Sequence, residues 1–271
     1  VAVVGQPCSL STLELDLLWE RLALGAFPLV LQLRPHGDTF AERHALLDGA
    51  RAQLQDRGLV HGTHVEPRLE GWLHALARPD EELDVRWRDG EKEVRALVVR
   101  QDECTVRAVR RDDEVVLTPI TPGSMVAAAV EVLPTVAAAA TGQVSGPTDQ
   151  LSAAYETSAR SADAGVQAML ALGAAHADAT AVAAALAKAV GVAQLGAACT
   201  TRGRRWRHPS VVAVLDTEVG RYTSTERAAP DHRMWSTIRP ASPAHLVRAT
   251  AALLGEAQAV ATQSTGSALR L

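Results

Sequence analysis

Cysteine is scarce in this sequence: three in 271 residues, Cys8, Cys104 and Cys199, isolated and odd in number. With no CxxC pair, neither a zinc site nor a disulfide framework fits, and buried thiols in a reducing compartment are expected. Aromatic residues make up only 3% of the chain, whereas alanine is heavily used. There is no excess of positive charge, the net being −4 at pH 7, so a whole-protein electrostatic footprint for nucleic acid is excluded. No apolar run is long enough for a membrane. The most alanine-rich one, Met125 to Ala140, contains Glu131 and Pro134 and falls short of the roughly 20 apolar residues a span needs. The opening VAVVGQPC lacks the basic flank and apolar core of a signal peptide, so a cytoplasmic protein is expected.

Catalytic signatures are missing as well. Gly142-Gln-Val-Ser145-Gly146 has the wrong spacing for a nucleophile elbow, and neither a P-loop nor a GxGxxG follows any strand. HExxH is absent. His61-Gly-Thr-His64 has only Glu66 as a nearby carboxylate, which fits a solvated loop better than a metal site. The pairs Glu81/Glu82 and Asp112/Asp113 read as charged turns rather than tuned acid and base. No enzyme, cofactor or metal is therefore expected.

What is present is core. Hydrophobic residues make up 47% of the chain, enough for a sizeable interior. Ser11-Thr-Leu-Glu14 has the form of a capping box, followed by Leu15, Leu18, Trp19 and Leu22 at helical spacing and a stop at Gly25. Leu29 to Leu33 reads as a short strand. A second capping box, Thr39-Phe-Ala-Glu42, opens a helix with Ala45, Leu46, Ala50 and Leu54 on its apolar face. Pro67 to Ala77 is a further helix, buried through Leu69, Trp72, Leu73 and Leu76. After Pro79 the period drops to two. Four strands follow, Leu83 to Trp87, Glu93 to Val99, Cys104 to Arg110 and Glu114 to Ile120, joined by turns so short that neighbours must be antiparallel. A helix then ends near Leu133.

Residues Pro134 to Asp149 are small and carry two glycines and two prolines, which reads as a linker or mobile loop. Two alanine-rich helices, about Leu151 to Leu172 and Ala177 to Val190, have weak apolar faces, so loose or partner-dependent packing is expected. Strands at Ala193 to Cys199, Ser210 to Thr217, Gly220 to Glu226 and Arg233 to Pro240 come next, then a helix from Pro243 to Gln258. The pattern of four-strand meander and helix thus occurs twice, each time with Ile-x-Pro and a capping Ser124 or Ser242. It predicts a quasi-two-fold α+β fold whose two meanders are joined or face each other.

One sharp basic run stands out, Arg202-Gly-Arg204-Arg205-Trp206-Arg207-His208. An aromatic among arginines can bind phosphate or stack on bases. A protein contact suits an acidic chain better, because Arg and Trp are enriched at interface hot spots. Arg204, Arg205, Trp206, Arg207, Arg221, Tyr222 and Trp235 are the candidate partner-binding residues, chosen for their chemistry and for lying in the second half.

The segments TLELDLLWERLALGAFPLVLQLRPHGDTFAER and QLGAACTTRGRRWRHPSVVAVLDTEVGRYTSTE resemble the EspG family of ESX (type VII) secretion-associated chaperones of actinobacteria. The most specific parts are Leu15 to Gly25, His36 to Arg43, and D-T-x-x-G-R-Y from Asp216 to Tyr222; all are fold fingerprints, with no catalytic signature among them. The resemblance, in register from about Ser9 to Leu254, implies one EspG-like domain over 1–271. Its halves would be 1–133 and 150–271 about a linker at 134–149, with a central antiparallel sheet flanked by two helical bundles. It implies a monomer or homodimer that binds a PE–PPE heterodimer or another ESX-type secreted protein in the cytosol and covers its apolar tip. Two departures bear on the cargo. The turn Arg88-Asp-Gly-Glu-Lys92 is short where mycobacterial relatives can carry a longer partner-contacting loop. The composition also fits an actinobacterium outside the mycobacteria, where a different ESX-type substrate would be bound.

Overall fold

The computed structural model describes residues 5–267, so the opening VAVV lies outside the described residues. Strand β1 (Cys8–Ser11) runs straight into α1 (Thr12–Arg21). The capping box is formed: Ser11 Oγ accepts from the Glu14 amide at 3.1 Å, and Glu14 Oε2 accepts from the Ser11 amide at 2.8 Å. Leu15, Leu18 and Trp19 are buried, and the Trp19 indole donates to the Gly25 carbonyl at 3.0 Å. The left-handed stop falls at Ala23, two residues before Gly25.

Leu29 to Leu33 is not a strand. Leu29–Leu31 forms a single 3-10 turn lying on the sheet face, and Gln32 is left-handed. The carbonyls of Val30, Leu31 and Gln32 accept from Arg95 and Arg110 of the sheet. With side chains satisfying these acceptors, the segment needs no strand partner.

Helix α2 (Phe40–Asp56) buries Leu47, Ala50 and Leu54, whereas Leu46 stays exposed. Positions 47, 50 and 54 keep to one stripe at 100° per residue, and 46 lies off it. A two-residue hairpin, β2 (Val60–His61) and β3 (His64–Val65), holds the two exposed histidines. Helix α3 (Pro67–Ala77) buries Leu69, Trp72, Leu73 and Leu76 as its spacing predicts.

The first meander is β4 (Glu81–Asp89), β5 (Lys92–Gln101), β6 (Cys104–Arg111) and β7 (Glu114–Pro119). Glu81 and Glu82 therefore stand in a strand, not a turn. Helix α4 (Met125–Val130) follows, and Ser124 makes no side-chain cap bond to it.

The expected linker is ordered against the sheet. Ala138 bridges to Arg221, and β8 (Val144–Pro147) pairs with a late strand. The first alanine-rich helix is split at Ser161, whose extended backbone ends α5 (Thr148–Arg160) and caps α6 (Ala162–Ala171). Next come α7 (His176–Ala187), β9 (Ala189–Thr201), β10 (Arg204–Arg207), β11 (Val212–Thr217), β12 (Gly220–Ala228), β13 (Met234–Pro240) and α8 (Pro243–Ser267). Ser242 Oγ accepts from the His245 amide at 3.2 Å, capping α8 as expected.

The two meanders join into one 11-stranded sheet in the order β1-β7-β6-β5-β4-β9-β11-β12-β13-β8, with β10 also on β9. The junction is the antiparallel β4–β9 pair, Glu81 opposite Cys199 through Arg88 opposite Val192. Three apolar clusters cover the sheet. One face carries α4 and α8 over Leu83, Val85, Leu195 and Val214. The other carries α1–α3 over Leu97, Val99 and Leu117, and separately α5–α7 over Leu215, Tyr222 and Ile238. These are the two helical bundles of an α+β fold. Among the described residues, no helix is long and apolar enough to cross a membrane.

Candidate partner-binding surface

Because the two bundles sit over opposite ends of one face, the middle of that face, β4 and β9, lies between them. Alternation along β4 sends Leu83, Val85 and Trp87 toward α8 and Glu82, Asp84, Arg86 and Arg88 into the gap. A groove of about 320 Å³ opens on the side of the N-terminal bundle, lined by Phe27, Leu29, Leu76, Arg205 and Arg207. A second, of about 660 Å³, opens beside α5, lined by Tyr155, Val192, Ala213 and Leu215. Arg86 lines both, so the two form one cleft across the sheet centre. Leu29, 88% exposed, stands at its rim.

The floor of the cleft is largely charge-neutral. Arg205 pairs with Glu82, and the Arg207 guanidinium grips both oxygens of Asp84. Both carboxylates are buried. These bonds hold the Arg207 pKa above its usual value, with burial opposing them. Both pairs reach across β9, and Gly196 makes the passage possible. A Cβ there would lie 2.3 Å from Arg207 Nη2 and 2.6 Å from Asp84 Oδ2. Arg86 and Arg88 are different. They are exposed and have no carboxylate partner among the described residues; Glu93, opposite Arg88, is held by Arg95 at 2.8 Å.

The seven candidate residues do not form one site. Period two in β10 splits the basic run: Arg205 and Arg207 face the cleft, and Trp206 packs toward α8 with Arg204 stacked on its ring at 4.1 Å. The run is therefore not a continuous basic patch. Arg221 and Tyr222, 3% and 2% exposed, are interior and offer a partner no surface. Arg221 binds Asp216 at 2.6 and 2.9 Å and the Pro134 carbonyl at 2.8 Å, while Tyr222 Oη donates to the Thr141 carbonyl at 2.7 Å. Their work is to fasten residues 134–141 to the sheet. Trp235, 42% exposed, lies beyond α8 on the opposite face from the cleft. Arg86, Arg88, Leu29 and Tyr155 were missed. For the two arginines a signal existed, since the alternation in LDVRWRD already sets them opposite the buried Leu83 and Val85.

Comparison with known proteins places this architecture. A family model described as the EspG family matches residues 11–252. The chain belongs to the EspG family. A curated family relative, the ESX-3 secretion-associated protein EspG3 of Mycolicibacterium smegmatis, is 32% identical over 104 residues. That alignment covers 38% of this chain and 36% of EspG3, about a third of the relative's length. The EspG fold is also seen in a solved structure, the Mycobacterium tuberculosis type VII secretion system chaperone EspG5 in complex with a PE25-PPE41 dimer. It superposes with a TM-score of 0.76 at 18% identity, covering 90% of this chain and 94% of EspG5. The resemblance seen in the sequence thus holds for family and fold.

Proposed function

We propose that this EspG-family chain is a cytoplasmic, non-catalytic chaperone for a type VII secretion substrate of PE–PPE or related type, acting as one domain of two related halves. The observation that carries the reading is the family match over residues 11–252; a family relative of the same fold, EspG5, is seen with a PE25-PPE41 dimer. The cleft between the bundles supplies a seat of suitable chemistry. Leu29, Tyr155 and Val192 offer apolar contact, and the unpaired Arg86 and Arg88 offer charge. Covering an exposed apolar tip lowers the free concentration of an aggregation-prone species. Arg205 and Arg207 contribute mainly by shaping the floor, because their charges are already matched by Glu82 and Asp84.

Co-expression with the PPE-like and WXG100-like proteins encoded beside the gene tests the proposal. The expected result is a soluble complex that is lost in an Arg86→Glu/Arg88→Glu variant whose melting is unchanged. If no such neighbour co-purifies while DNA or RNA does, with affinity falling steeply in salt, the chaperone reading fails.

A further inference from the structure

On the face opposite the cleft, strand β12 outruns its neighbour. It pairs with β11 only from Gly220 to Ser224, whereas its pairing with β13 continues to Ala228. The chain that would continue alongside, His208 to Val211, forms no strand, and its Ser210 and Val211 line the groove that the edge borders. Thr225–Ala228 therefore keeps one backbone edge with no strand partner. At about 3.3 Å per residue this edge is roughly 13 Å long. Buried backbone groups demand partners and open strand edges recruit them.

The edge borders a groove of about 700 Å³ between β12–β13 and α8. Its basic lining is Arg227, Arg239, Arg248 and His245. Among the described residues, none of the three arginines has a carboxylate partner. The acidic lining is Glu226 and Glu256, and Glu256 is engaged by His208 at 3.1 Å. His245 Nε2 is buried without a hydrogen-bond partner. Burial, and then the fields of Arg239 and Arg248, push the His245 pKa down, in keeping with all three side chains lining the groove. Trp235, from β13, adds an exposed aromatic surface.

From the free edge and the positive excess together, we infer that this groove binds an extended, acidic peptide segment of a partner protein by strand addition to β12. The backbone of the peptide pairs with Thr225–Ala228, and its carboxylates meet Arg227, Arg239 and Arg248. Two independent features select this occupant. An open strand edge alternates donors and acceptors, which suits a peptide backbone and not a phosphate chain. The unpaired arginines select acidic side chains over basic ones. Arg239 and Trp235 put the groove mainly on the other face of the sheet from the cleft, with Val211 and Glu226 lining both.

The test uses the full chain and fluorescein-labelled peptides of alternating Glu and Thr, read by fluorescence polarisation. The expected result is salt-sensitive binding that Arg239→Glu/Arg248→Glu weakens by about tenfold or more without changing the melting temperature. Arg239→Gln/Arg248→Gln, which removes charge from exposed and unpaired positions, serves if the reversal variant is poorly folded. The same peptide N-methylated at alternate backbone amides should lose binding, and the unmodified one should slow amide exchange within Thr225–Ala228. Absence of binding, equal binding of a Lys–Thr peptide, equal binding of the N-methylated peptide, or equal competition by single-stranded DNA would each overturn the inference.

Discussion

Removing the Asp216 carboxylate should destabilise the protein far more than an average surface change, because it strands a buried charge. Arg221 and Asp216 are both buried and bonded through two contacts of 2.6 and 2.9 Å. The same guanidinium holds the Pro134 carbonyl, and the Arg221 backbone donates to Ala137 at 2.8 Å and accepts from Ala139 at 3.2 Å. Gly220 completes the clasp with φ near 121°; a Cβ there would lie 2.6 Å from the Ala139 nitrogen. Breaking one side of such a pair costs about 3–5 kcal/mol, most of it the penalty of the charge left behind. Asp216→Ala should lose that much in equilibrium urea unfolding, and amide protection at Ala139 and Arg221 should fall first. The double variant Asp216→Leu/Arg221→Met removes both charges and should be less damaged than the two single variants combined, with a coupling of about 1–3 kcal/mol. An Asp216→Ala protein within about 1 kcal/mol of the parent, or strict additivity in the double variant, would refute the reasoning.

Four further outcomes are expected. Gly196→Ala should displace the Arg207–Asp84 pair and cost about 1–3 kcal/mol in denaturant unfolding; a neutral result would show that the pair yields freely. Leu18→Ala and Trp19→Ala, both in the core of the N-terminal bundle, should cost about 2–5 kcal/mol without changing which cargo is bound, and a fully stable variant that had lost binding would contradict this. Burial pushes the Asp16 carboxyl up, but hydrogen bonds from Arg43 and His36 outweigh it and hold the pKa below its ordinary 3.8. The folded state then binds fewer protons, so this stabilisation is complete above the ordinary carboxylate range and drains away as pH falls through the folded value; Asp16→Asn should flatten that acid limb of the stability–pH curve. Finally, fragments 1–140 and 141–271 expose the facing edges of β4 and β9 and should aggregate or require each other to fold, and two independently melting fragments would sink the single-domain proposal.

The parts of the fold that were legible are those set by local rules. Period-two segments with very short turns yielded both meanders, and Ser11, Thr39 and Ser242 marked helix starts because capping is decided within one turn. Elsewhere the deciding partner was distant. Leu29 to Leu31 has strand-like composition, yet arginines from β5 and β6 satisfy its carbonyls. Residues 144–147 looked like linker because their small side chains carry no pattern; pairing with β13 makes them a strand. The candidate site was less legible for the same reason. An arginine in a sequence is an offer of charge, and whether the offer remains open depends on carboxylates far away. Arg205 and Arg207 find theirs 123 positions earlier, while Arg86 and Arg88 find none among the described residues.

That distinction gives the β4–β9 junction two roles at once. Glu82 and Asp84 belong to the first half of the chain, Arg205 and Arg207 to the second, and each pair crosses β9 to reach its mate. The pairs therefore tie the halves together where a partner would rest, and they neutralise the floor beneath it. A partner entering the cleft then meets buried carboxylates already compensated, so seating it does not strand those charges. Further along β4 it meets Arg86 and Arg88, which have no carboxylate partner among the described residues, with Glu156 and Glu226 lining the same cleft. On the proposed reading, specificity in such a cleft would fall on these charged side chains and the walls, while Arg205 and Arg207 of the basic run act as the joint between the halves.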